Sequence, residues 1–195
     1  MSKLLGRVLF PNEVYGWAKF ASGIHSEAYV NKQKTLVRQV TTEYGKELFT
    51  LGWLPSIAGV VSYPQAVRVA YDGNAMLLEM PKYTTLPPLG LLSAKQRELI
   101  SALKQFSWER SPHTYVGDMA EHIRNNGKFS PDILEFLAES AEAYGNYHNA
   151  FAFDYAIRNI KYCEKTKEVI LLDIFFALKT QTLRKVLSEV LLDRF

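Results

Sequence analysis

The sequence has few features of a secreted or membrane protein. Cys163 is its only cysteine, which excludes an internal disulfide and a cysteine-based zinc site. A reducing, cytoplasmic setting fits best. No apolar run is long enough to cross a bilayer, and the N-terminal apolar patch is broken by Gly6, Arg7 and Pro11. We therefore expect no signal peptide and no membrane partner, and we find no internal repeat.

An excess of charge of one sign is also missing. The formal net charge is +3, without the dense Lys/Arg clustering of a dedicated nucleic-acid-binding protein. Apolar residues are abundant: 48% of the residues are hydrophobic and 13% are aromatic. Such a chain can bury a substantial core and is not expected to be disordered. Its 195 residues suit one domain or two small lobes that share a cleft.

The first eighty residues have the pattern of strands. Segments 16–30 and 34–40 predict strands with a turn near Asn31–Lys34, and 66–80 predicts a hairpin around Asp72–Gly73–Asn74. Between them, Tyr44, Leu48 and Leu51 share one face at helical spacing, and Pro55 closes this helix.

The rest of the chain has a helical pattern. Segment 80–90 contains three prolines and a glycine and is interpreted as a linker or hinge. Ser93 and Gln96 predict a capping box for the next helix, and Ser130–Pro131 predicts the start of a longer one. A short helix near 117–127, a strand at 168–174 and an amphipathic C-terminal helix are also predicted. The prediction is an α+β, two-lobed fold: a strand-rich N-lobe over 1–81 with one helix, a hinge at 79–82, and a reduced helical C-lobe over 82–195.

Three polar residues form the most informative constellation. Asp154 and Asn159 are separated by five positions, and Asp173 follows fourteen residues later within an apolar run. A carboxylate in apolar surroundings needs compensation, so Asp173 has either a structural partner or a bound cation. The D-x-x-x-x-N spacing and a downstream aspartate are the pattern with which protein kinases orient the acceptor hydroxyl and hold Mg²⁺.

On these residues the sequence resembles the protein kinase superfamily, and within it the small atypical kinases of short-tailed bacteriophages and truncated bacterial effector kinases. The resemblance runs from about Phe20 to Phe176. It implies ATP and Mg²⁺ as cofactors, with Asp154 and Arg158 in the catalytic loop and Asn159 and Asp173 as metal ligands.

The resemblance also assigns residues of the first lobe to the nucleotide. Gly23 and Ser26 fall in the loop that covers the phosphates. Arg38 stands where the family has a phosphate-binding lysine, a substitution that alters both shape and hydrogen bonding. Its predicted carboxylate partner is Glu47, with Glu43 as the alternative. Glu79 flanks the segment that resembles the adenine-binding hinge.

The implied function is ATP- and Mg²⁺-dependent phosphorylation of a protein hydroxyl, serine or threonine. The expected partner is a protein substrate, or a host protein if the chain is encoded by a phage or is an effector. Two alternatives stay open: a catalytically weak or inactive kinase-like protein that binds a partner or nucleotide, and a small-molecule phosphotransferase. Arg38 and the small number of residues after Asp173 favour the first of them.

Overall fold

The computed structural model describes residues 16–23, 25–71, 75–106, 116–147, 151–153 and 156–177. These fall into two compact units. The first contains the described residues up to Thr50 together with those of Gln65–Lys82, and the second contains Leu51–Pro64 and the described residues from Tyr83 onward. Segment 51–64, which the sequence-based division placed in the first lobe, therefore clusters with the second unit. Asp154 and the predicted C-terminal helix lie outside the described residues.

An antiparallel five-stranded sheet forms the first unit. Its strands are β1 (Trp17–Ser22), β2 (Ser26–Asn31), β3 (Leu36–Thr41), β5 (Val67–Tyr71) and β6 (Met76–Pro81), in the order β1-β2-β3-β6-β5. The predicted turn between β2 and β3 is confirmed, since Lys34 N–H donates to the Asn31 carbonyl at 2.9 Å. β5 and β6 are the two strands of the second predicted hairpin.

The pleat of this sheet separates its residues onto two faces. Cross-strand partners point to the same side, so Arg38 shares a face with Glu79, and Val40 with Leu77. A buried cluster of Tyr29, Val40 and Leu77 lies on this face, with Trp17 and Ala70 packed against it. The opposite face carries the pairs Gln39 with Leu78 and Arg68 with Leu78. This division decides which charged side chains can meet.

The predicted helix of the first lobe is shorter than expected. A 3-10 turn at Tyr44–Glu47 leads into one α-helical turn, α1 (Leu48–Leu51). Gly52 follows with φ +68°, the left-handed conformation in which glycine commonly ends a helix. The helix therefore stops before Pro55, and Leu51 is exposed although Leu48 is buried.

The second unit has three longer helices and a small sheet. The helices are α2 (Ala94–Phe106), α3 (Val116–Arg124) and α4 (Pro131–Tyr147), close to the predicted positions. α2 buries Leu99, Leu103 and Phe106 along one stripe, and α4 buries Ile133 and Leu137. Apolar residues three or four positions apart lie on one helical face, which is why the sequence pattern located these helices.

The capping box of α2 is confirmed. Gln96 N–H donates to Ser93 Oγ at 3.2 Å, and Ser93 N–H donates to Gln96 Oε1 at 3.0 Å. Gln96 is buried, and its Nε2 also donates to the carbonyls of Val60, at 3.3 Å, and Lys167, at 2.7 Å. One side chain thus caps the helix and joins its start to two loops of the same unit.

The sheet of the second unit has the order β4-β10-β9-β7. Its strands are β4 (Val61–Ser62), β7 (Thr84–Thr85), β9 (Ile160–Cys163) and β10 (Glu168–Leu171), and a separate ladder joins β8 (Phe151–Phe153) to β11 (Phe175–Ala177). The predicted linker 80–90 contains the boundary between the two units, after Lys82, and it also contains the strand β7. Within the ranges described, each helix is too short or too polar to cross a bilayer.

Candidate functional site

Asn159 and Asp173 are brought together by the β9–β10 hairpin. Asn159 ends a 3-10 turn, Ile157–Asn159, directly before β9, and Asp173 follows the end of β10. The Nδ2 of Asn159 donates to the backbone carbonyl of Asp173 at 2.7 Å. Leu172 N–H donates back to the Asn159 carbonyl at 2.9 Å. The two predicted metal ligands are thus neighbours at the open end of the hairpin.

Asp173 is not inside a strand, as the sequence pattern predicted. β10 ends at Leu171, and Asp173 occupies a bend before β11. It is half-buried, whereas Leu171 and Ile174 on either side of it are buried. The β9–β10 ladder ends at Leu171, and the β8–β11 ladder begins at Phe175. The bend at Asp173 lies between the two ladders.

The ligand atoms suit a hard cation only in part. Donation by Nδ2 leaves the Oδ1 of Asn159 as an acceptor, and the Asp173 carboxylate supplies further oxygens. Mg²⁺ characteristically takes one or two carboxylates and completes its shell with water and substrate phosphates. The residues that the structure describes include no group of three or more His, Cys, Asp or Glu that could hold a metal by themselves. A magnesium ion held by Asn159 and Asp173 would therefore take its other ligands from water, from phosphate or from other groups.

Of the two predicted catalytic-loop residues, the structure describes Arg158 and not Asp154. Asp154 lies outside the described residues, so its side chain has no described position. Arg158 lies in the 3-10 turn before Asn159 and is exposed. Its guanidinium belongs to the residue directly before Asn159, and its predicted role at the phosphates stays a prediction.

Gly23 lies just after β1, at the turn into β2. Its N–H donates to the carbonyl of Ser26 at 2.7 Å, which closes the hairpin. A Cβ added at Gly23 would approach the Ser26 carbonyl oxygen to 3.7 Å, an ordinary contact. The described part of the hairpin therefore does not itself require glycine at this position, and Ser26 acts there through its backbone.

Arg38 does not pair with the predicted partner Glu47. Its Nε donates to Glu79 Oε2 at 2.8 Å, and its guanidinium lies 4.4 Å from the centre of the Trp17 ring. Glu47 forms an ion pair with Arg68 instead. The Arg38–Glu47 prediction is wrong, because Arg38 lies on the sheet face that carries Glu79. Glu47 lies in the 3-10 turn after β3 and pairs with Arg68, whose register partner Leu78 is on the opposite face.

The pair formed by Arg38 and Glu79 also changes the interpretation of the hinge residue. Glu79 was predicted to flank backbone groups that bind adenine, which stays a prediction; its side chain is half-buried against Arg38. Both residues are thus held by the sheet, with the cation additionally stacked on an aromatic ring.

No family model and no curated protein matches the chain. The kinase resemblance therefore depends on the motif residues themselves, and among these the described Asn159 and Asp173 are neighbours.

Sequence reasoning missed a buried ion pair beside the predicted helix. Lys46 Nζ lies 2.7 Å from Glu43 Oε2, and both residues are buried. Glu43 was considered only as an alternative partner for Arg38. The spacing of three positions within a helical pattern indicates that the two side chains share a face, but it does not indicate that this face is buried.

Proposed function

We propose that this protein binds ATP with Mg²⁺ and transfers the γ-phosphoryl group to a serine or threonine hydroxyl of a protein. The observation that carries the proposal is the 2.7 Å hydrogen bond from the Asn159 carboxamide to the Asp173 carbonyl. It supports the proposal because two ligand-bearing residues, fourteen positions apart, meet at one end of a hairpin in the order that kinases use.

The proposed step moves a phosphoryl group between two oxygens. The bond from the γ-phosphorus to the β,γ-bridging oxygen breaks, and ADP leaves with that oxygen. A bond forms from the γ-phosphorus to the acceptor oxygen, and the hydroxyl proton passes to Asp154. Asn159 and Asp173 would hold Mg²⁺ on the phosphate oxygens, and Arg158 would offset their charge. Rate enhancement would come from positioning and charge stabilisation.

The residues assigned to the first unit receive unequal support. Gly23 supports the proposal, because the described hairpin does not need glycine and the residue is free of a Cβ where a phosphate would approach the backbone. Arg38 could contact a phosphate only by giving up Glu79. The acceptor class that follows from the resemblance is a host protein, for a chain of phage or effector origin.

The test is phosphoryl transfer from labelled ATP and Mg²⁺ to proteins of a cell lysate. Transfer is expected with the unaltered chain and should fall below detection with Asp173→Ala. Asp118→Asn is the matched control, because Asp118 is an exposed carboxylate of α3 in the same unit. Thermal melting of both variants shows whether they are folded. Undiminished transfer by a folded Asp173→Ala variant would contradict the proposal.

A second candidate is a kinase-like protein that binds nucleotide or a partner without catalysis. The engagement of Arg38 by Glu79 and Trp17 favours it, because the cation expected at the phosphates is already held. This candidate predicts that Mg²⁺–ATP raises the melting temperature with no transfer to protein. At a hundred times the dissociation constant, bound nucleotide would add about 2.7 kcal/mol to the free energy of unfolding.

A further inference from the structure

A cavity of about 620 Å³ lies beside the C-terminal half of α4 in the second unit. Its size is within the roughly 300–1,000 Å³ range of ligand-binding clefts. Of the residues predicted for phosphoryl transfer, those that the structure describes do not line it. The lining residues are Trp53, Pro55, Glu139, Glu142, Ala143 and Asn146.

Trp53 gives this cavity an aromatic wall. The residue follows Gly52, the glycine that ends α1, and 65% of its surface is exposed. A large aromatic side chain left this open in a folded unit provides a ring face for a ligand. Its negatively charged π-face attracts cations, and tryptophan does so most strongly among the aromatic residues.

Two carboxylates also line the cavity. Glu139 and Glu142 are three positions apart on α4, so they project from neighbouring turns. Arg124 holds Glu142 with two hydrogen bonds, one of them 3.0 Å long, and it also binds Glu135. Hydrogen bonding from Arg124 lowers the pKa of Glu142 below its ordinary value, so this carboxylate stays ionised at neutral pH.

The charge around the cavity is locally negative. The charged residues among those that line the cavity are Glu139 and Glu142, and Arg124, outside the lining, offsets part of the charge of Glu142. The whole chain has a formal charge of +3, so the negative potential belongs to this face and not to the protein in general. Phosphate-bearing partners, such as nucleic acids or anionic lipids, would be repelled.

We propose that this cavity binds an arginine-containing segment of a partner protein, with a guanidinium over Trp53 and beside the carboxylates of Glu139 and Glu142. A planar guanidinium can stack on an aromatic ring and donate to a carboxylate at the same time. Charge complementarity and the exposed ring identify the occupant. The inference uses none of the phosphoryl-transfer residues, so it holds or fails independently of the proposed function.

The experiment measures fluorescence anisotropy of a short labelled peptide in which arginine alternates with glycine, with the full chain at low salt. A matched peptide carries citrulline in place of arginine, which keeps the shape and removes the charge. The arginine peptide is expected to bind and the citrulline peptide is not. Equal affinity for the two peptides, or no binding of the arginine peptide, would overturn the proposal.

Substitutions locate the binding. Trp53→Leu is expected to weaken the arginine peptide about two- to fivefold, whereas Trp53→Tyr keeps a ring and most of the affinity. Glu139→Gln is expected to weaken it by a similar factor, about two- to fivefold. Glu121→Gln is the control, because Glu121 is an exposed glutamate of α3 that does not line the cavity.

The design does not depend on any one variant folding. Glutamine has nearly the same shape as glutamate. Because Glu139 is an exposed residue of α4, its replacement by glutamine also leaves the core intact. If Trp53→Leu loses its circular dichroism signal, the peptide affinities of Glu139→Gln and Glu121→Gln are compared instead, and this comparison tests the proposal. Unchanged affinity of a folded Glu139→Gln variant, or an equal loss for Glu121→Gln, would refute binding in this cavity.

Discussion

The two units differ in how they hold the residues predicted to act on a nucleotide. In the first, Arg38 and Glu47 are each paired with a different residue of the same unit, Glu79 and Arg68. In the second, Asn159 and Asp173 meet each other. Side-chain partners across an antiparallel sheet depend on the register of its strands. The two ends of a short hairpin, in contrast, are brought together by the hairpin itself.

Two ion-paired groups, one in each unit, differ in burial. Glu43 and Lys46 are paired in the interior of the first unit, at 7% and 5% exposure. Arg124, Glu135 and Glu142 form an exposed cluster in the second. Removing one member of a buried pair strands a charge away from water, whereas an exposed member is rehydrated.

Replacing Lys46 alone should be the most damaging change. Lys46→Met leaves the Glu43 carboxylate buried without its ammonium partner, and we expect a loss of about 3–5 kcal/mol in the free energy of unfolding. Urea denaturation measures it. The double variant Glu43→Gln, Lys46→Met should recover part of the loss, because the Glu43 position then carries no charge. A loss below about 1 kcal/mol for Lys46→Met alone would show that the pair is not buried as described.

Replacing Asn159 tests the hairpin that carries the candidate site. Asn159→Ala removes the donor to the Asp173 carbonyl, and we expect a loss of about 1–3 kcal/mol in unfolding free energy. If the proposed function is right, the shift in melting temperature caused by Mg²⁺–ATP should also disappear. Asn125→Ala, at an exposed asparagine after α3, is the comparison. If Asn159→Ala keeps the wild-type free energy of unfolding and the full shift in melting temperature with Mg²⁺–ATP, Asn159 neither stabilises the hairpin nor takes part in nucleotide binding.

The Arg38–Glu79 pair should show intermediate coupling. A double-mutant cycle with Arg38→Gln and Glu79→Gln is expected to give an interaction energy of about 0.5–1 kcal/mol, because both side chains are half-buried and solvent screens them. Equilibrium denaturation of the four proteins provides the cycle. Coupling of Arg38 to Glu47 in a parallel cycle, and not to Glu79, would restore the pairing inferred from the sequence.

The exposed Arg124 cluster should matter least. Arg124→Gln is expected to cost about 0–1 kcal/mol at neutral pH and low salt. Hydrogen bonds from Arg124 lower the pKa values of Glu135 and Glu142 below 4.5 in the folded state. The stabilisation is therefore present above that pH and is lost as the pH falls through the lowered pKa values. The difference in melting temperature between wild type and variant should narrow below about pH 4 and in high salt. A difference that grows in acid would contradict this sign.

Much of the secondary structure was determined by local sequence. Ser93 and Gln96 mark the start of α2 because a capping box needs only residues three positions apart. The turn at Asn31–Lys34 and the helices α2, α3 and α4 depend on equally short spacings. The Asn159–Asp173 neighbourhood belongs to the same class, since the hairpin between them is a local structure.

Pairings between distant segments were decided by the tertiary structure alone. Arg38 was matched with Glu47 from the kinase resemblance, but the strand register places Arg38 beside Glu79 on the same face of the sheet. The burial of Glu43 and Lys46, and the cavity that Trp53 forms with α4, likewise require segments far apart in sequence. Spacing along the chain specifies which residues share a strand or a helix face. Register and packing specify what lies across from them, because those contacts depend on the total free energy of the folded unit.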